Sequence, residues 1–78
     1  MTLIAYLVGT NMGIEAETLE EIRKIIAADV PEYEKIAGAP VSIIMDYGSK
    51  ISVIMRNGMA FVYTIREKEE ESKKDVRP

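Results

Sequence analysis

The chain has 78 residues, enough for one domain with a modest core, and 47% of them are apolar, which excludes a wholly disordered chain. It contains neither cysteine nor histidine, which excludes disulfides, thiolate nucleophiles, Cys-based metal sites and the usual general base. The net charge of −3 argues against strong nonspecific nucleic-acid binding, which needs a basic surface.

The first predicted element is a strand over Thr2–Val8. Side chains alternate between the two faces of a strand. One face carries Leu3, Ala5 and Leu7, and the other carries Ile4, Tyr6 and Val8. Because both faces are apolar, we expect an inner position in a sheet, or contact with a partner.

Two short segments follow this strand. Gly9–Gly13 predicts a loop, because its glycines and Asn11 permit unusual backbone angles. A glycine loop between a strand and a helix is also the context of a phosphate site, but the Walker and dinucleotide spacings are absent. Ile14–Glu17 fits either a short second strand or an extended entry to a helix.

A capping box predicts the start of the main helix, with Thr18 at the N-cap and Glu21 three residues later. The helix is expected to run from Leu19 to Ala28 or Asp29. Its apolar stripe consists of Leu19, Ile22, Ile25 and Ile26. Pro31 should end or kink it, so Pro31–Ala37 is expected to form a short second helix or a helical turn.

The stretch Val41–Arg66 predicts three strands connected by turns at Gly48-Ser49 and Asn57-Gly58. Each strand has one wholly apolar face, which we expect to pack on the helix. These faces consist of Val41, Ile43, Met45 and Tyr47; of Ile51, Val53 and Met55; and of Met59, Phe61, Tyr63 and Ile65.

The sequence thus predicts an α+β fold with a mostly antiparallel sheet of four strands, or five if Ile14–Glu17 also pairs. The expected order is β-α-β-β-β, with one main helix on one face. The first strand could lie parallel to Val41–Tyr47 or beside the last strand. Residues 1–66 should form a single compact domain, and 67–78 a charged tail, solvated or frayed as a helix.

The second face of this sheet is less polar than a solvated face should be. Its apolar members are Ile4, Tyr6, Val8, Ile44, Ile54 and Val62. A monomer rarely exposes an apolar patch that large. We therefore expect these residues to bind a partner, either a second copy in a dimer or another protein, unless Pro31–Ala37 or the tail covers them.

Part of the last hairpin resembles the octamer signature of RNA-recognition motifs. Gly58, Ala60, Phe61 and Val62 match, whereas Met59 and Thr64 replace aromatic residues. The resemblance implies single-stranded RNA stacked on the open sheet face. The residues for such a site would be Tyr6, Lys50, Arg56 and Arg66.

No pair of side chains has the pattern of a nucleophile with its base, so we expect no enzyme, no cofactor, no metal and no small-molecule substrate. The longest apolar run is too short to cross a membrane, and a signal peptide is not evident, which favours a soluble cytoplasmic protein. The Ile, Glu and Lys content is typical of a thermophilic source, and the small size of a viral one.

Overall fold

The computed structural model of the protein describes residues 2–68, which form five strands and two helices. In chain order the elements are β1 (Leu3–Leu7), β2 (Gly13–Ala16), α1 (Leu19–Ala28), α2 (Val30–Ala37), β3 (Val41–Asp46), β4 (Lys50–Met55) and β5 (Ala60–Glu67). The predicted α+β class is confirmed. The charged tail that the sequence predicts lies mostly in residues 69–78, outside the described residues.

The strands form one sheet in the order β2-β1-β5-β4-β3, and all four pairings are antiparallel. The predicted order β-α-β-β-β is wrong because residues 9–12 turn the chain straight back, with the Leu7 N–H donating to the Met12 carbonyl at 3.0 Å. Gly13–Ala16 therefore pairs with β1 as a strand. The other side of β1 pairs with β5, so no two adjacent strands among residues 2–68 are parallel.

Helix α1 starts where the capping box predicts. The Thr18 side chain accepts a hydrogen bond from the Glu21 N–H at 3.2 Å. The Glu21 carboxylate in turn accepts from the N–H of Glu17 at 2.9 Å, one residue before the expected donor. Ile22 and Ile26 are fully buried, whereas Ile25, predicted to join the buried stripe, is exposed.

Helix α2 follows after a break at Asp29, with Pro31 in its first turn and Gly38, in the left-handed conformation, at its end. Its eight residues confirm the short second helix that Pro31 predicts, and Tyr33 is buried on its inner side. The helix layer therefore consists of two helices, where the sequence predicts one main helix. The Asn57 side chain donates to the Ala37 carbonyl at 3.0 Å, which connects the β4–β5 turn to the end of α2.

The core lies between the two helices and one face of the sheet. Its buried members are Ala5, Ile22, Ile26, Tyr33, Ile51, Val53, Met55 and Tyr63. Leu3, Leu7, Ile14, Val41, Phe61 and Ile65 pack around them. The predicted inner faces of β1, β4 and β5 agree with this arrangement, apart from Met59, which is exposed.

Strand β3 contains a bulge at Ser42. Val41 lies opposite Met55, but the next pairs are Ile43 with Ile54 and Ile44 with Val53. The extra residue reverses the alternation along the rest of the strand. Ile44 therefore lies on the helix side, and the prediction that it belongs to the second face is wrong.

No helix within residues 2–68 is long and apolar enough to cross a membrane.

Candidate interaction surface

The side of the sheet that faces away from both helices is called the open face here. The strand registers place on it Ile4, Tyr6, Glu15, Ile43, Met45, Lys50, Ser52, Ile54, Ala60, Val62, Thr64 and Arg66. Within residues 2–68 the open face carries no second layer of structure. Apolar side chains on it, such as Ile43, therefore remain in contact with solvent.

One half of the open face is apolar. Its residues are Val8, Ile43, Met45, Tyr47, Ile54 and Val62, and we call them the apolar cluster. Ile43 lies opposite Ile54, and the Val8 N–H donates to the Val62 carbonyl at 2.8 Å, which extends the ladder by one residue. Val8 is 57% exposed, Ile43 52% and Tyr47 59%. Folding alone leaves these side chains in water.

Five of the six predicted partner-binding residues lie on the open face, namely Ile4, Tyr6, Val8, Ile54 and Val62. Tyr6 is 41% exposed, but Ile4 is only 9% exposed, although it also points outward. Its Cδ1 lies 3.3 Å from where a Cβ on Gly13 would stand, so it packs over that glycine and is shielded from solvent.

The sequence did not assign three members of the apolar cluster, Ile43, Met45 and Tyr47, to this face. All three follow the bulge, so strict alternation from Val41 placed them against the helices. The Tyr47 hydroxyl approaches the Met45 sulfur at 3.6 Å, consistent with a shared side. One signal in the sequence could have revealed the reversal. Arg23 and Asp46 have opposite charges, and an ion pair between them requires Asp46 to face the helices.

The other half of the open face is charged. Tyr6 lies opposite Thr64, which lies opposite Lys50, and Arg66 lies opposite Ile4. The Lys50 ammonium is 5.9 Å from the centre of the Tyr47 ring, within the range of a cation–π contact. Beside Ile4, Glu15 forms an ion pair with Lys68 at 3.0 Å.

The structure separates the residues proposed for RNA binding. Lys50 and Arg66 lie near Tyr6, whereas Arg56 lies in the turn at the opposite end of β4. Phe61, the aromatic residue of the octamer resemblance, packs beneath the helices with its ring centre 4.9 Å from that of Tyr33. Phe61 therefore cannot stack a base on the open face. The sheet also has five strands, whereas that of RNA-recognition motifs has four.

On the helix side, Arg23 of α1 reaches across to Asp46 of β3. Its guanidinium hydrogen-bonds the carboxylate and, together with the backbone N–H of Gly48, holds the pKa of Asp46 below its usual value. The pair lies over a shallow groove of about 210 Å³, lined also by Ile26, Ile44 and Ile51. Ile44, which the bulge moves to the helix side of β3, forms part of the wall of this groove.

Residues 2–68 contain no cluster of three or more acidic side chains that could hold a metal ion. No family model matches the chain, and neither a curated protein nor a solved structure matches it. A function for this protein is therefore inferred from the chemistry of its surface.

Proposed function

We propose that this protein is an interaction module that self-associates through its open face, as a twofold dimer of two sheets packed face to face. The supporting observation is the apolar cluster, whose large side chains lie on the sheet side opposite α1 and α2, the helices of residues 2–68. Burying an apolar side chain of this size contributes about 1.5–3 kcal/mol. A small domain gains substantially from a second copy that supplies the missing layer.

The dimensions of the sheet fit this proposal. Five strands about 4.8 Å apart, each about six residues long, give a footprint of about 480 Å². The accessible area exceeds the footprint because side chains stand out from the sheet. Stable interfaces between proteins bury at least about 600 Å² of accessible surface on each partner. The dimer therefore needs most of the open face and not the apolar cluster alone.

The distribution of charge favours a twofold axis through the apolar cluster. Lys50 and Arg66 stand at one end of the open face, and Ile43 and Ile54 stand towards the other. An axis through the apolar cluster places like residues opposite each other at the centre, where their apolar nature suits burial. It also carries the basic residues of the two copies to opposite rims, as in interfaces with an apolar centre and a polar rim.

The test is the mass in solution of Ile43→Glu against the unchanged protein, measured by analytical ultracentrifugation over a range of concentrations. The change buries a carboxylate at the interface in both copies. At about 2 kcal/mol for each copy, we expect the dissociation constant of the dimer to rise roughly 1000-fold. A monomeric mass for the unchanged protein at high concentration would reject the proposal.

Two matched variants control for the added charge. Ile25→Glu makes the same change on the exposed side of α1, and Ile44→Glu makes it at the neighbouring residue on the opposite face of β3. Both should leave the dimer intact, with circular dichroism confirming the fold of all three variants. Dissociation by Ile44→Glu but not by Ile43→Glu would instead support a different face.

The alternative function is the binding of single-stranded RNA, supported by the positions of Tyr6, Lys50 and Arg66, which all adjoin Thr64 on the open face. An exposed aromatic ring with flanking cations can stack a base and hold its phosphates. Salt-dependent retention on single-stranded RNA, lost in Tyr6→Ala, would favour this alternative. The acidic net charge and the remote position of Arg56 make it the weaker candidate.

A further inference from the structure

A second feature lies on the opposite side of the molecule, between α2 and the loop that connects β1 to β2. It is a pocket of about 230 Å³ lined by Leu7, Met12, Asp29, Glu32, Tyr33, Ile36, Phe61 and Tyr63. None of these residues belongs to the open face, because Leu7, Phe61 and Tyr63 pack into the helix-side core. The pocket is therefore independent of the proposed dimer interface.

The volume indicates the size of a ligand. An engineered cavity of about 150 Å³ in another protein accepts benzene, whereas pockets for drug-sized molecules begin near 300 Å³. At about 230 Å³, this pocket matches a molecule with one ring and a short chain. Ile36 and Met12 are exposed at its mouth, so entry needs no opening of the core.

The inner wall of the pocket is aromatic. The rings of Tyr33 and Phe61 lie 4.9 Å apart, and those of Tyr33 and Tyr63 lie 6.5 Å apart edge to face. The hydroxyls of the two tyrosines are 2.6 Å apart, so one donates to the other within the buried wall. Such a wall suits an apolar ring, and aromatic faces also attract cations.

The rim of the pocket is acidic. Asp29, at the junction of the two helices, and Glu32, in the first turn of α2, both line it. Neither carboxylate belongs to an ion pair among residues 2–68. Asp29 lines the same pocket as Tyr33 and Tyr63, and its charge contributes to the raised pKa of Tyr33 after burial and the hydrogen bond to Tyr63. Apolar walls with a negative rim complement a ligand that has an apolar body and a positive end.

We propose that this pocket binds a small organic amine with a single-ring body. The ring packs against Phe61 and Tyr33, with Met12 and Ile36 on either side of the mouth. The ammonium group lies at the rim between Asp29 and Glu32, where the carboxylates compensate its charge and part of its hydration is retained.

The test uses three probes of nearly the same shape and different charge, which are phenethylamine, 2-phenylethanol and 3-phenylpropionate. Each is titrated into the full chain labelled with ¹⁵N, and the shifts of the amide signals are followed by NMR. We expect saturable shifts centred on Leu7, Met12, Asp29 and Phe61. The amine should bind about fivefold more tightly than the alcohol, as partly exposed ion pairs allow, and the acid should bind most weakly.

Variants separate the contributions of charge and shape. Asp29→Asn combined with Glu32→Gln should reduce the affinity for the amine to that for the alcohol and leave the alcohol unchanged. The Asp29 side chain makes no capping hydrogen bond to α2, so the change need not disturb the helix. Glu20→Gln, in the exposed first turn of α1, removes a charge elsewhere and should have no effect. Ile36→Ala should weaken all three probes.

Equal affinities of the amine and the alcohol, shifts centred elsewhere, or no saturable binding would overturn the proposal. Ile43→Glu should bind phenethylamine as the unchanged protein does. Failure of the pocket proposal and failure of the dimer proposal are therefore observed separately.

Discussion

At the scale of single residues, Tyr33 and Tyr63 form a polar centre in an otherwise apolar core. Their hydroxyls share a hydrogen bond, and the side chains are almost fully buried, one on α2 and the other on β5. Removal of one partner from a buried hydrogen bond costs more than removal of both, because the remaining group is left without compensation. The pair therefore links the helix layer to the sheet in a way that a substitution series can measure.

We expect Tyr33→Phe and Tyr63→Phe each to lower the free energy of unfolding by about 1–2 kcal/mol. The double variant should cost less than the sum of the two, since no hydroxyl is then left unpaired in the core. Urea unfolding of the three variants and the unchanged protein measures this coupling. Additive losses would show that the two hydroxyls do not interact in solution.

The same burial gives Tyr33 a pKa well above its usual value of 10.0, with desolvation as the first cause and the hydrogen bond to Tyr63 as the second. Below pH 10 both the folded and the unfolded chain keep this proton. Above pH 10 the unfolded chain loses it first, so stability should fall as the pH rises towards the pKa of the folded state. Urea unfolding of the unchanged protein and Tyr33→Phe at pH 8 and pH 11 checks this, and the loss should be smaller in Tyr33→Phe.

Asp46 gives the opposite dependence on pH. Its pKa is lowered below 3.8 by the hydrogen bond from Arg23 and then by that from the Gly48 N–H. The stability that it contributes is present above pH 3.8 and is lost as the pH falls through its pKa in the folded state. Asp46→Asn should therefore lower the melting temperature slightly at pH 7, and the difference from the unchanged protein should shrink as the pH falls below 3.8. A difference that does not change with pH would show that packing, and not charge, dominates at this position.

At the scale of elements, the N-terminus of α1 shows how a local pattern specifies a boundary. The Thr18 side chain accepts from the Glu21 N–H, and the Glu21 carboxylate accepts from the Glu17 N–H, so donors on both sides of the helix start are satisfied. Both bonds join residues at most four apart. The start of this helix is accordingly readable from sequence without knowledge of the rest of the fold.

Thr18→Ala should lower the free energy of unfolding by about 1 kcal/mol, because it leaves the Glu21 N–H without its acceptor. Thr18→Ser is the matched control, since it keeps the hydroxyl oxygen. It should lower the free energy of unfolding by only about a few tenths of a kcal/mol. Urea unfolding followed by circular dichroism measures both variants. An equal loss in the two would assign the effect to the methyl group of Thr18 and not to the cap.

Strand β3 shows the limit of local patterns. Its residues alternate well enough to predict a strand, but the phase of the alternation depends on one bulged residue, Ser42, set by pairing with β4. Neither Ser42 nor its neighbours carry a pattern that marks the bulge. The consequence for the site is that Ile43 replaces Ile44 on the open face.

At the scale of the whole molecule, the sequence predicted the class, the antiparallel meander and the strand faces around Ile51 and Phe61, because alternation is a local property. It did not predict the sheet order, which depends on whether residues 9–12 form a turn or lead to a crossover. The outward positions of Tyr6 and Val62 were predicted. The shielding of Ile4 was not, because it depends on the pairing that brings Gly13 beside it.

The pairing of β1 with β5 has a consequence for how the chain folds. It joins residues that are 56 to 64 positions apart, whereas β1 with β2 and the meander β3–β5 form from neighbouring segments. Closing so long a loop costs about 2 kcal/mol more entropy than closing a turn of four residues. The β1–β2 hairpin should therefore join the sheet last, and a hairpin that has not yet joined can be donated to a second copy, which makes this seam the natural place for strand exchange.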